Sequence, residues 1–316
     1  MAMNRVQFQS GLSMFEFLER YGTEQQCEQA VFAMRWPGGF VCPRCNGGDS
    51  FGFRRGRQPY RECRGCGYQC SLIVGTLLEA TKLPLTRWFM ALQLITQAKN
   101  GIAALELMRQ LKVSYPTAWL VKHKVMEAMR LHEADRQLSG RVEIDDAYLG
   151  GERCGGKSGR GSENKIPFVV AVQTNAGGQI DQVCMAQLPF RRSAIEDFMR
   201  THTARPLTTV SDGLDCFAVA RRAGVHERVV TGGGREAARD PRFAAVNTVL
   251  GNLKTAFAGT YHAFDFAKYA ARYLADVQFR INHRYRLDLM LVAIARSLLC
   301  APPLTRPQIR APEVGC

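Results

Sequence analysis

Two groups of residues in this sequence carry chemistry by their type and spacing. Cys42-Pro-Arg-Cys45 is followed, after seventeen intervening residues, by Cys63-Arg-Gly-Cys66. Two thiolates with two residues between them wrap a tight turn around a tetrahedral ion. Two such turns on successive hairpins close a four-sulfur cage, the zinc-ribbon arrangement. Four thiolates leave no open coordination position, so this Zn2+ is expected to be structural. Gly65 and Gly67 supply the backbone freedom for the second turn, and Cys70, just past it, is a substitute ligand that the spacing ranks below Cys66. The second group is acidic: Glu143, Asp145 and Asp146 lie in one strand-like run, and Asp212 ends another. Carboxylates that converge bind hard divalent cations. A pair of Mg2+ or Mn2+ ions would activate the attacking oxygen of a phosphodiester reaction and stabilise the leaving one.

Such residues matter only if the chain brings them together. After Gly140 the pattern changes from helical to alternating. Val142 to Leu149 reads as a strand, a Gly-rich loop follows over 150–161, and Ile166 to Gln173 and Ile180 to Leu188 are two more strands. Ser193 to Thr201 reads as a helix capped by Ser193, Leu207 to Ser211 as a strand ending at Asp212, Cys216 to Ala223 as a helix and His226 to Val230 as a fifth strand. Helices are expected over 247–258, 266–283 and 287–299. This order is that of a ribonuclease-H-like sheet. In that fold the middle of strand one, the end of strand four and the helix after strand five meet, and those places hold Asp145, Asp212 and Asn247. Asp145 would bridge two ions, Asp212 would bind one, and Asn247 would offer a neutral carbonyl oxygen. Lys254, seven residues on and on the same helical face, would hold a phosphate near them. Alternation puts Glu143 and Asp145 on one face of their strand and Asp146 on the other.

Ahead of that core, Leu85 to Gln97 and Ile102 to Leu111 have helical periodicity. A turn at 113–116 leads to a third helix over 117–131 that presents Lys122, His123, Lys124 and Arg130. Two short helices joined by a four-residue turn, the second basic, fit a helix-turn-helix that reads the major groove of double-stranded DNA. Lys157, Arg160 and Lys165 in the Gly-rich loop region read as a basic hairpin loop touching DNA. The formal charge of +14 fits a nucleic-acid partner and would fit an anionic membrane surface equally. A hydrophobic content of 46% is enough for packed cores, and no apolar run is long enough to span a membrane. A cytoplasmic, nucleoid-associated location is expected, where reduced thiols bind metal rather than form disulfides. The expected architecture is multidomain α+β. It comprises an N-terminal helical segment (1–37), a zinc ribbon (38–74), a helix-turn-helix region (82–135), a ribonuclease-H-like core with C-terminal helices (140–300) and a tail (301–316).

The motifs that carry a likeness are 35–45, with its Trp-Pro-Gly-Gly-Phe-Val-Cys-Pro-Arg-Cys run, Val142-Glu-Ile-Asp-Asp-Ala-Tyr-Leu-Gly-Gly151, Val210-Ser-Asp-Gly213 and Val246-Asn-Thr-Val-Leu-Gly-Asn-Leu-Lys254. Gly259-Thr-Tyr-His262 and the 273–284 stretch continue it. In combination, over nearly the whole chain, they resemble the ISXO-like zinc-ribbon insertion-sequence transposases of bacteria. The resemblance implies binding of terminal inverted repeats, metal-dependent cleavage of donor DNA to free a 3′-hydroxyl, and strand transfer into target DNA. It also implies a homo-oligomer in the synaptic complex. Family members carry two Asp, a third position that is Glu, Asn or His, and a Lys seven residues on. Asp145, Asp212, Asn247 and Lys254 match these in turn. A neutral Asn247 departs from the three-carboxylate pattern and leaves open whether Asn247, Asn252 or Asp276 completes the metal site.

Three rival readings remain beside this one. Residues 151–158 match the phosphate-loop pattern literally, but the residues after them cannot open the amphipathic helix whose N-terminus would bind phosphates. A catalytically inactive zinc-ribbon DNA-binding regulator would keep the ribbon and the helix-turn-helix without the third acid. A nuclease without transfer activity would cut but not join.

Overall fold

The computed structural model describes residues 11–150, 165–230, 240–261 and 264–311. The chain divides into two compact units: residues 1–132 with 285–310, and residues 133–284.

In the first unit, α1 (Met14–Tyr21) and α2 (Glu24–Arg35) each begin in a capping box, Ser13 with Glu16 and Thr23 with Gln26. In each box the side chain and backbone of the two residues satisfy each other's unpaired donors. A three-stranded antiparallel sheet follows, in the order β1 (Ser50–Arg55), β2 (Gln58–Cys63), β3 (Gln69–Ser71). Next come α3 (Leu85–Gln97), α4 (Ala104–Leu111) and α5 (Tyr115–Glu133). The amides of Leu85 and Thr86 at the start of α3 donate to the Glu24 carboxylate at 2.7 and 3.0 Å, a cap supplied from sixty residues away in the chain. Helix α5 lacks a solvated face over its middle: residues 121 to 129 are all buried, Lys122, His123, Lys124 and Glu127 among them.

The second unit is built on five strands, β4 (Leu138–Leu149), β5 (Ile166–Thr174), β6 (Ile180–Gln187), β7 (Thr203–Ser211) and β8 (Val225–Arg228). They lie in the order β6-β5-β4-β7-β8. The first three form an antiparallel meander, and β7 and β8 add in parallel to β4 and to each other. Parallel addition requires crossovers, supplied here by α6 (Arg192–His202) and a 3₁₀ segment (Asp215–Arg222). The expected Ser193 cap is not what starts α6. Its N-cap is Arg191, with no side-chain cap, and Ser193 lies inside the first turn.

Alternation along the central strands feeds two cores. Val142, Ile144, Val169 and Ala171 pack with Ile195, Phe198 and Met199 of α6 and with Phe217. On the opposite face, Leu149, Phe168, Val170 and Val172 pack with α7 (Ala244–Ala256) and α8 (Phe266–Asn282), through Val246, Val249, Leu253, Leu274 and Val277. Helix α8 also closes the exposed edge of β6. Gln278 accepts from the Met185 amide at 2.7 Å, and Asn282 both accepts from Val183 N–H and donates to its carbonyl. An open strand edge is thereby paired by side chains instead of by another chain.

The chain then returns to the first unit as α9 (Leu287–Cys300), which packs on α3 and α2 through Met290, Leu291, Ile294 and Leu298, and as the short α10 (Arg306–Arg310). The sequence placed residues up to 300 in the core and the remainder in a tail. Instead, the apolar face of α9 belongs to the first unit, and Ile309 of α10 is buried.

Candidate metal centres

The four cysteines predicted as zinc ligands come together, each offering a sulfur within 4.8 Å of the others. Cys42 Sγ lies 3.7 Å from Cys66 Sγ, and Cys45 Sγ lies 3.5 Å from Cys63 Sγ. A tetrahedron with Zn–S bonds of ~2.3 Å has sulfur–sulfur edges of about 3.8 Å, so the donor set fits the ion. Each Cys-x-x-Cys turn closes on itself, with Cys42 N–H donating to Gly47 O and Cys63 N–H to Tyr68 O, both at 2.9 Å. The left-handed residues are Asn46 (φ 60°) and Gly67 (φ 67°), so of the two expected glycines only Gly67 is needed for its backbone angle. Desolvation raises the Cys42 pKa, but amide donors from Cys45 and Arg44 outweigh it and bring the thiol down to about 7. Its neighbour Cys45 is pushed the other way, to about 12, because the Gly47 amide, which lowers it, is outweighed by the Cys66 and Cys63 thiols beside it. Cys70 is buried on β3 and lies outside the cluster.

The second centre forms where β4 and β7 run parallel. Their pairing ends with Ile144 opposite Ser211, and Asp145 and Asp212 are the next residue on each strand. The end of β7 is held from several sides. Val229 N–H donates to Ser211 O at 2.9 Å, Ser211 Oγ lies 2.8 Å from His226 Nε2, Leu214 N–H donates to Asp212 Oδ1 at 2.9 Å, and Arg228 donates to Gly213 O at 2.7 Å. Asp145, Asp146 and Asp212 each place a carboxylate oxygen within 4.8 Å of the other two, all three half-buried. An all-oxygen, anionic donor set of this kind suits a hard divalent cation. Cys216 lies close by, and burial first, then the charges of Asp146 and Asp212, push its thiol up to about 11.

Asn247 and Lys254 lie on α7, whose first turn is tied to β4. The buried Glu143 carboxylate, two residues before Asp145 on the same strand face, accepts the amides of Ala245 and Val246 at 3.0 and 2.9 Å. That fixes the N-terminus of α7 over the strand and puts Asn247 at the next position. Burial raises the Glu143 pKa, against the lowering effect of these two amides. Lys254 is exposed two turns on, about 10 Å along the same helical face. Asn252 is exposed and lies about 140° round the helix from Asn247, so it does not share that face. Asp276 is already committed elsewhere. It is 2% exposed, its Oδ1 accepts from Arg280 Nε at 3.0 Å, and its Oδ2 accepts from the Tyr261 hydroxyl at 2.6 Å.

The basic residues expected to meet DNA fare unevenly. Lys122 and Lys124 are 4% and 6% exposed, and Lys124 Nζ donates to Leu77 O at 2.5 Å. The expectation that Lys122 and Lys124 present a basic face of that helix to DNA is therefore corrected: these two cations are inside. Burial lowers the Lys124 pKa. Exposed side chains cluster instead at the junction of α4 and α5, where Arg109, Lys112, Ser114 and Tyr115 are on the surface. Lys165 is half-buried at the start of β5, and Lys157 and Arg160 lie outside the described residues, as does the phosphate-loop-like run. Sequence reasoning named Asp146 in the acidic run but set it apart from Asp145 by alternation, whereas its carboxylate joins the same group. It also missed Glu143 as a helix cap, although a carboxylate inside an apolar strand was the signal.

Comparison with known proteins defines the class: a model of the ISXO2-like transposase domain matches residues 137–282, and one of the transposase zinc-ribbon domain matches residues 22–69. Both stretches are thus similar to one kind of protein, with a transposase zinc ribbon ahead of an ISXO2-like transposase domain. It is 26% identical, over 63% of its own length and 71% of the relative's, to an uncharacterized protein in transposable element ISH50 of Halobacterium salinarum. Among solved structures it matches the Mos1 transposase paired-end complex with left transposon end. That match covers 70% of this chain and 82% of the other at 10% identity, with a TM-score of 0.21, too low to support an argument from shape. Among the described residues no helix is long and apolar enough to cross a membrane.

Proposed function

We propose that this transposase binds the terminal inverted repeats of an insertion sequence as double-stranded DNA, cleaves at their ends and transfers the freed strand into target DNA. Its second unit is read as a ribonuclease-H-like core. The observation that carries this reading is the meeting of Asp145 and Asp212 at the end of two parallel strands, inside the matched transposase domain.

Divalent Mg2+ or Mn2+, when bound, neutralises charge on the phosphate and favours ionisation of the attacking hydroxyl. The chain's own residues do the rest. Asp145 and Asp212 hold the cation on a rigid strand end, and Asn247 offers an amide oxygen from α7. Lys254 fixes a DNA phosphate as a point charge further along that helix. The zinc ribbon, with exposed Arg55 and Arg57 on its β1–β2 hairpin, and the exposed α4–α5 junction supply backbone contacts that position the DNA. Synapsis of two ends calls for a homo-oligomer.

The test is incubation of supercoiled plasmid carrying the flanking inverted repeats with full-length, zinc-loaded protein and Mn2+. Nicked and joined products are expected, lost on Asp145→Ala and Asp212→Ala with DNA binding intact. Binding without nicking by the parent protein would overturn the enzymatic reading in favour of a DNA-binding regulator, and nicking without joined products would reduce it to a nuclease.

A further inference from the structure

We infer that Asp146 is a third carboxylate ligand of the catalytic cation, supplying the charge that Asn247 lacks. This rests on the reading of Asp145 and Asp212 as metal-binding. On a strand paired on both edges, neighbouring side chains leave on opposite faces and do not share a ligand. β4 stays paired with β5 through Asp145 opposite Val170 and Asp146 opposite Val169, so the two still start from opposite faces. On its other edge the β4–β7 ladder ends at Ile144 and Ser211, so no paired β7 residue stands beside 145 and 146, and Asp212 follows directly on that last pair. The Asp145 carboxylate is bent back along the chain, its Oδ1 accepting the amide of Asp146 at 2.9 Å. One oxygen from each of the three residues then falls within 4.8 Å of the others.

Octahedral Mg2+ at bond lengths of ~2.0–2.1 Å sets its oxygens about 3 Å apart when adjacent and about 4 Å apart when opposite. Asp146 and Asp212 also both lie near enough to the buried Cys216 thiol for their charges to add to the rise that burial gives its pKa. Asp276 is excluded from the role by its pairing with Arg280 and Tyr261. The site thus carries three acids from the sheet and a neutral oxygen from the helix.

The experiment is a Mn2+ titration of full-length, zinc-loaded protein without DNA, read by the electron paramagnetic resonance of free Mn2+, so that no catalysis is involved. Asp146→Asn is expected to weaken Mn2+ about tenfold or more, in line with Asp145→Asn and Asp212→Asn, and Asn247→Ala to weaken it less than any of these. Asp146→Glu, which keeps the charge, is expected to recover most of the affinity. Circular dichroism and thermal melting check folding, and if Asp146→Asn does not fold, Asp146→Ser takes its place in the same comparison. Parent-like Mn2+ binding by a folded Asp146→Asn, with Asp145→Asn and Asp212→Asn still weakened, overturns the inference and leaves the metal centre standing. Parent-like binding by all three overturns the metal centre itself.

Discussion

Removing the Glu143 carboxylate is expected to loosen the one helix that carries Asn247 and Lys254. Glu143 is 4% exposed and accepts the amides of Ala245 and Val246, both buried positions. In Glu143→Ala those two N–H groups lose their acceptor, at about 1–3 kcal/mol for each buried unpaired donor. Part of this is offset, because the native carboxylate itself is desolvated. The upward shift of its pKa shows burial outweighing the two bonds. A net loss of about 2–4 kcal/mol is expected, at the upper end of helix-cap deletions, with Glu143→Gln losing less because both amides donate to the same oxygen, Oε2, and the amide side chain keeps one oxygen. The assay is native-state amide hydrogen exchange of α7 by mass spectrometry. At 1.4 kcal/mol per tenfold, protection over 245–250 should fall by about thirtyfold or more in the Ala variant. The pH dependence has a definite sign. Because the folded pKa lies above the ordinary 4.5, the Glu143 contribution is complete below that pH and declines as pH rises through the folded value. That slope should vanish in Glu143→Gln. Unchanged protection over α7 in Glu143→Ala would refute the anchoring argument.

The ribbon should bind one zinc per chain. Cys66→Ser should lose it and unfold the β1–β2–β3 sheet, while Cys70→Ser keeps it, read by metal content and circular dichroism; zinc retained in Cys66→Ser would return Cys70 to the ligand set. Burial opposes ionisation of Glu133, but bonds from Arg136, Asn282 and Gln278 outweigh it and hold the carboxyl below its ordinary 4.5. Its stabilising contribution is therefore present above that pH and lost as pH falls through the lowered value. Glu133→Gln should flatten the acid limb of urea-denaturation stability, and an unaltered limb would contradict the assignment. Asp276→Asn leaves Arg280 without its buried counter-charge and should cost about 3–5 kcal/mol in denaturant unfolding with Mn2+ affinity unchanged; reduced Mn2+ affinity in a folded variant would put Asp276 back in the metal site.

Much of this architecture was legible in the sequence because local patterns dominate it. The Cys-x-x-Cys pairs fixed the ribbon, and the β4, β5 and β6 strands and α3 fall where alternation and helical periodicity put them, within a few residues. What the pattern could not carry is whatever depends on a distant neighbour. Helix α5 has apolar residues all round, so Lys122 and Lys124 are drawn inside with them, and a charge on a helix was no guide to its exposure. Helix α9 follows the core in sequence yet buries its face against α2 and α3, a choice set by tertiary contacts alone. Asp146 escaped because alternation, which β4 keeps against β5, sets it on the other face, yet its carboxylate still reaches the Asp145 and Asp212 group where β7 has ended. Glu143 was noticed as a carboxylate out of place, but its partners lie about a hundred residues on, where no local rule reaches.

The most direct test of the shared-cation account is an anomalous difference map from crystals of the zinc-loaded protein soaked in Mn2+, recorded on both sides of the manganese edge. The account requires a manganese peak within coordinating distance of Asp145 and Asp212 carboxylate oxygens, distinct from the zinc at Cys42, Cys45, Cys63 and Cys66. A map with zinc at the cysteines and no manganese between those two aspartates would contradict it.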